Sequence, residues 1–186
     1  MIRLSPRERN SASVLAGARE GRQALALWIE HVGRPADAEP AYIDFTDVEV
    51  ATSSFLRESV FAFRDYCRRF ASTVYPVLAN ISEAIEEEVA FFAIETGDAV
   101  WVCDLQEDGT ATNMRLIGRQ SLEAGQQRAL EYIEQHGHAS APDLRNIDTT
   151  VGPTAWNNRL AALSGKGLLV EERQGKTKVF RTVWSR

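Results

Sequence analysis

Thr154-Ala-Trp-Asn-Asn-Arg-Leu-Ala-Ala-Leu163, continued by Gly167-Leu-Leu-Val-Glu-Glu-Arg-Gln-Gly-Lys-Thr-Lys-Val-Phe-Arg181, decides how the rear of this chain folds. Trp156, Leu160 and Leu163 recur at i, i+4 and i+7, which is one face of a helix. The same spacing turns Thr154, Asn157, Asn158 and Ala161 outward and leaves Arg159 on the shoulder. Gly152-Pro153 opens that helix, since the first turn has no use for the N–H that proline lacks. Past Gly167 come an apolar strand, a tight basic turn at Gly175 and a second strand. Upstream, Ser140-Ala-Pro-Asp143 is the S-x-x-D form of a capping box and starts a helix over 140–147. A further helix is expected over 122–136, with a loop at Gly137-His-Ala between the two. Three helices closing on a hairpin make an α+β module over 118–186.

The front half has a different pattern. Leu15, Ala18, Arg22, Leu25 and Ile29 predict a helix over 13–32, stopped by Gly33-Arg-Pro35. Ala41-Tyr-Ile-Asp-Phe-Thr46 alternates as a strand does, and Phe55, Leu56, Val60, Phe63 and Cys67 share one side of a helix over 53–70. Val74-Tyr-Pro-Val-Leu78 reads as a strand in which Pro76 argues for an edge or an irregular position. Ser82 is the expected N-cap of a third helix ending at Gly97-Asp98. Segments 99–103 and 112–117 flank the Glu107-Asp-Gly109 turn as a hairpin. Helices alternating with short strands predict a small layered α/β domain over 1–117, joined to the rear module at Gly118-Arg-Gln-Ser121. The fold class is therefore α/β, with an α+β second domain.

Charge separates the same two halves. The net −5 divides into ten Lys/Arg against seven Asp/Glu over 118–186 (+3) and eleven against nineteen over 1–117 (−8). Arg173, Lys176, Lys178, Arg181 and Arg186 have no acid among them. An acidic front should repel a phosphate backbone, so any such contact is expected from the rear. Two isolated cysteines, Cys67 and Cys103, suit buried packing in a reducing compartment better than a disulfide or zinc framework. The start, Met1-Ile-Arg-Leu-Ser-Pro-Arg-Glu-Arg, lacks the apolar core of a signal peptide, and no apolar run reaches the ~20 residues of a membrane span. The expectation is a cytoplasmic protein without membrane contact.

Several residues have the chemistry of a duplex contact. Asn bonds adenine at two atoms, Thr bonds base or phosphate, and the leading residues of a helix reach base edges in the major groove. Thr154, Asn157, Asn158 and Arg159 are the candidate reading residues, although an ordinary solvated face would look alike. Arg173, Lys176, Lys178 and Arg181 are the candidate phosphate anchors, with a solubilising turn as the plain alternative. Paired half-sites would require a homodimer. In the front half, Ser53 or Ser54 stands at a helix start, where it can cap free N–H groups, and the same N-terminus can hold an anion or a phosphoryl group.

The rear run resembles the winged helix-turn-helix domains of bacterial repressors, whose recognition helix enters the wing as T-x-x-x-N/R-L-x-x-L-x-x-x-G-L-L. Arg159, Leu160, Leu163, Gly167, Leu168 and Leu169 match in spacing, with Thr154 one residue farther upstream than the pattern has it, and the resemblance covers about 122–184. It implies binding to double-stranded DNA. Over roughly 13–117 the chain is similar to the STAS-like family related to anti-anti-sigma factors, through Asp44, Phe45, Val48, Ser54 and Phe55 of a D-F-x-x-V-x-x-x-x-x-S-F pattern. The Gly17-Ala-Arg-Glu-Gly-Arg22 helix start is similar as well. That resemblance implies a non-catalytic interaction module, with a histidine-kinase-like ATPase as a partner. In phosphorylated members the turn reads D-S-S-G; here Thr52 and Phe55 replace its aspartate and glycine, around Ser53.

An enzyme is not expected. His136 and His138 lack a third ligand, so no metal is predicted, and Ser82-Glu-Ala-Ile-Glu-Glu-Glu88 reads as a solvated helix face. No phosphate loop, nucleophile elbow or HExxH is present, and no cofactor is implied. The expectation is a DNA-binding transcriptional regulator with a STAS-like sensor or interaction domain. The alternatives are a non-enzymatic adaptor in a multi-protein assembly and a phosphorylatable anti-sigma antagonist.

Overall fold

The structure, a computed structural model, describes residues 1–7 and 12–185; Arg186 of the basic tail lies outside them. The chain is α/β, with a mixed sheet and helices. It divides into two compact units, Met1–Ser121 and Leu122–Arg186.

The first unit is built on a five-stranded sheet in the order β1 (Ile2–Leu4), β3 (Glu39–Asp44), β5 (Val74–Ala79), β6 (Val100–Leu105), β7 (Ala111–Ile117). The first four are mutually parallel, and β7 returns antiparallel after the turn at Gly109, whose φ of 86° suits glycine. A separate parallel pair joins β2 (Val14–Leu15) to β4 (Val50–Ala51). Helix α1 (Ala18–His31) therefore starts later than its periodicity suggests, because Val14 and Leu15 are held as strand and Gly17 adopts φ 87°.

Between β4 and β5 runs a helical stretch of three parts: α2 (Ser53–Leu56), a π-turn over Arg57–Phe61, and α3 (Ala62–Phe70). Helix α4 (Glu83–Thr96) is capped by Ser82, whose hydroxyl accepts from the Ile85 N–H at 3.3 Å, and ends at left-handed Gly97. Trp28, Phe55, Val60, Phe63, Cys67, Ile85 and Val89 form one cluster with Leu4, Ile43, Leu78, Val100 and Val102. Those strand residues share one parity across the register, so all three helical layers cover the same face. Tyr42, Val77, Trp101 and Cys103 take the opposite parity and are also buried.

Close approach makes Gly21 necessary. A Cβ there would lie 2.7 Å from the Phe55 carbonyl oxygen, so α1 can rest directly on α2. Pro76 takes the irregular of its two expected positions. It lies in an interior strand, paired with Ala41, but the ladder from β5 to β6 begins only at Leu78. Proline is tolerated because β5 has a single neighbour at that point.

The second unit has the order α5 (Ala124–His136), β8 (His138–Ser140), α6 (Ala141–Ile147), α7 (Pro153–Gly165), β9 (Val170–Gln174), β10 (Thr177–Arg181). Its strands form an antiparallel sheet in the order β8-β10-β9. Capping boxes start α5 (Glu123 with Gln126) and α6 (Ser140 with Asp143), and Pro153 opens α7. Ala129, Leu130, Ile133, Leu144, Trp156, Leu160, Leu163 and Phe180 are buried. Residues 138–140, expected as loop and cap, form the third strand.

Candidate nucleic-acid interface

Helix α7 is apolar on one side only, so burying Trp156, Leu160 and Leu163 forces Thr154, Asn157 and Asn158 into solvent. All three stand in its first two turns. Arg159 is placed differently. Its guanidinium lies over the Trp156 ring, 4.8 Å from the centroid, and its side chain fills the space above Gly125. A Cβ on Gly125 would come within 2.4 Å of Arg159 Nε. Arg159 thus clasps α5 to α7, which is a packing use of its charge.

The hairpin of β9 and β10 closes through Gly175-Lys176, since Gln174 and Thr177 pair across it. Gly175, at φ 64°, is the first central residue of that two-residue turn, the position where glycine is wanted. Arg173 and Lys178 stand directly opposite each other, a like-charge pair that costs stability when nothing intervenes. Lys178 leans onto Glu171 at 2.7 Å, while Arg173 and Lys176 are exposed and have no ion-pair partner among the described residues. Arg181 is committed elsewhere. It donates to Glu172 from Nε at 2.8 Å and from Nη1 to the carbonyls of Thr182 and Ser185 at 3.0 and 2.6 Å. With only 18% of its side chain exposed, it anchors the turn that follows the hairpin. Of four candidate anchors, Arg173 and Lys176 are free, Lys178 is loosely held and Arg181 is bound.

In the first unit, Thr52 and not Ser53 or Ser54 caps the helix: its hydroxyl accepts from the Phe55 N–H at 3.4 Å and from Gly17 N at 3.2 Å. Ser53 is exposed and its Oγ donates to the Glu88 carboxylate. A phosphoryl group on Ser53 would displace that bond and face Glu88 with like charge.

A polar cluster that sequence reading did not single out ties the carboxyl ends of the parallel strands. Asp44 accepts from Arg3 Nε at 2.8 Å, Thr46 N at 3.0 Å, Thr46 Oγ1 at 2.7 Å and Asn80 Nδ2 at 2.9 Å. Asn80, in the left-handed region at φ 55°, also exchanges bonds with the Leu105 backbone. Burial raises the Asp44 carboxyl, but these donors outweigh it and hold the group below its ordinary value. Both oxygens are satisfied, so the cluster acts as a latch between strands. Each strand after β1 is added on the same side, so the sheet has no reversal of strand order, where α/β sheets open a ligand crevice.

His136 ends α5, stacked 4.0 Å from the Tyr132 ring, and His138 lies on β8; no metal-holding group of three ligands occurs among the described residues. No described helix is long and apolar enough to cross a membrane. No protein-family model matches the chain, and no curated protein matches it.

Proposed function

We propose that the chain is a DNA-binding transcriptional regulator, with Leu122–Arg186 as a winged helix and Met1–Ser121 as a STAS-like sensor or partner-binding domain. One observation carries the reading: Thr154, Asn157 and Asn158 are exposed at the leading end of a helix in the same small unit as a hairpin tip with free Arg173 and Lys176. The order helix, strand, helix, helix, hairpin, with β10 central in its sheet, supports a winged helix. Three helical layers on one face of a mostly parallel sheet support the STAS-like assignment. In this reading α7 enters the major groove, Asn157 and Asn158 meet base edges, and the hairpin tip lies along the phosphates.

The test is selection from a random duplex library, followed by binding of the enriched site. Asn157→Ala/Asn158→Ala should reduce preference for that site while retaining weak binding to random duplex. Arg173→Glu/Lys176→Glu should weaken both. Failure to enrich any sequence, with equal retention by wild type and the charge-reversed variant, would overturn the proposal in favour of a protein adaptor.

A further inference from the structure

The second unit has a cleft that the proposed DNA contact does not use. It lies among α5, α6 and α7 and has a volume of about 340 Å³. Arg128, Glu131 and Tyr132 line it from one face of α5, at i, i+3 and i+4. Leu144 and Ile147 line it from α6, Asp148 from just past that helix, and Trp156 from α7. Both aromatic walls are held in place: the Tyr132 ring stacks on His136, and Arg159 covers one face of the Trp156 ring. Trp156 is 2% exposed, and its indole N–H is buried without an acceptor among the described residues. Buried donors nearly always find a partner, because an unmade bond forfeits what the group had with water. Charge along the walls is uneven. Arg128 is bridged to Asp148 at 3.3 Å, which leaves the Glu131 carboxylate with no ion pair among the described residues.

We propose that this cleft binds a small planar aromatic molecule that carries a carbonyl-type acceptor and no negative charge. Size sets the number of rings. A cavity of ~150 Å³ takes one benzene ring, so about 340 Å³ suits two fused rings with one substituent. The volume is also at the low end of the ~300–1,000 Å³ that ligand sites span, which excludes a dinucleotide. Tyr132 and Trp156 offer aromatic surface to the rings, with Leu144 and Ile147 completing the apolar wall. The acceptor takes the Trp156 N–H. That nitrogen has almost no solvent-accessible surface, so the ligand presses into the wall beside Trp156, and Ile147, 61% exposed, is the lining side chain free to give way. The unpaired Glu131 carboxylate repels an anion. The site lies wholly in the second unit and does not rest on the regulator reading.

The test is a titration of the isotope-labelled full chain with naphthamide and with naphthoate, without DNA, following the assigned indole N–H signal of Trp156 by NMR. Naphthamide should move that signal and saturate it with a Kd of about 1 mM, the usual affinity for a ligand of that size. The indole signals of Trp28 and Trp101, in the first unit, should stay in place. Naphthoate should bind about 5-fold more weakly, and Glu131→Gln should close that gap without changing the affinity for naphthamide. Ile147→Glu should weaken naphthamide at least about tenfold with unchanged circular dichroism, because that side chain is already largely in water. A Trp156 signal that does not move, equal binding of naphthoate, a gap that Glu131→Gln leaves intact, or naphthamide binding that survives Ile147→Glu each overturns the proposal. Naphthamide binding by a chain that enriches no duplex overturns only the regulator, and an enriched duplex without naphthamide binding overturns only the ligand site.

Discussion

Raising salt should weaken duplex binding with a log–log slope of about −2.7 per bound protomer, from roughly 0.9 counterions released for each of three neutralised phosphates. The number three comes from the hairpin geometry. Arg173 and Lys176 are unpaired, and the Lys178–Glu171 bridge joins side chains 43% and 31% exposed. Such a surface bridge contributes about 0–1 kcal/mol, so a phosphate can replace Glu171. Arg181 is excluded because leaving Glu172 and the carbonyls of Thr182 and Ser185 would strip several bonds from a mostly covered cation. Between about 50 and 200 mM salt the affinity should then fall ~40-fold. Lys176→Gln should flatten the slope to about −1.8 and the fall to ~12-fold. Arg181→Gln should leave the slope unchanged and lower the thermal midpoint instead. Fluorescence anisotropy on a labelled duplex across a salt series gives every slope. An unchanged slope for Lys176→Gln, or equal flattening by Arg181→Gln without loss of stability, would refute the assignment of which cations are available.

Two predictions concern the first unit. Asp98 lies between Arg64 and Arg68; burial raises its carboxyl, but the two guanidiniums and the Ala99 N–H hold it below its ordinary value. A depressed folded pKa stabilises above the unfolded value near ~3.9 and loses that contribution as pH falls through the folded value, so acid unfolding should steepen below about pH 4. Arg64 itself is only 5% exposed, and burial pulls its pKa down to about 10. Asp98→Asn should therefore cost about 3 kcal/mol at neutral pH by urea denaturation, and should flatten the acid limb. A cost below about 1 kcal/mol would show that Arg64 finds its compensation elsewhere. Cys67 and Cys103 are each pushed up to about 12 by burial, and for Cys103 by the nearby Asp104 and Asp44 charges as well. A chromogenic disulfide at mildly alkaline pH should label neither thiol in the native protein and both in denaturant, and fast native labelling would contradict the burial.

What could be read from the chain alone was whatever repeats within a few residues. Trp156, Leu160 and Leu163 announce a helix with a polar leading face, Ser140 and Asp143 announce its neighbour's start, and Gly109 and Gly175 mark turns. Strands β1, β2 and β8 are two or three residues long and carry no period; they exist only because β3, β4 and β10 supply the ladder. The cap at Thr52 in place of Ser53 was beyond sequence because three hydroxyls in a row compete for the same N–H groups. The Asp44, Thr46 and Asn80 latch brings together residues up to 36 apart in sequence.

Availability of charge is the property that tertiary structure alone decided. In sequence Arg173, Lys176, Lys178 and Arg181 are equivalent cations, and Arg159 is one more on the shoulder of a helix. Folding lays Arg159 on Trp156, turns Arg181 toward Glu172 and the following carbonyls, and leaves Arg173 and Lys176 in water. Helix periodicity is a local backbone matter, whereas a cation's freedom depends on which distant acceptors the fold brings within hydrogen-bonding reach.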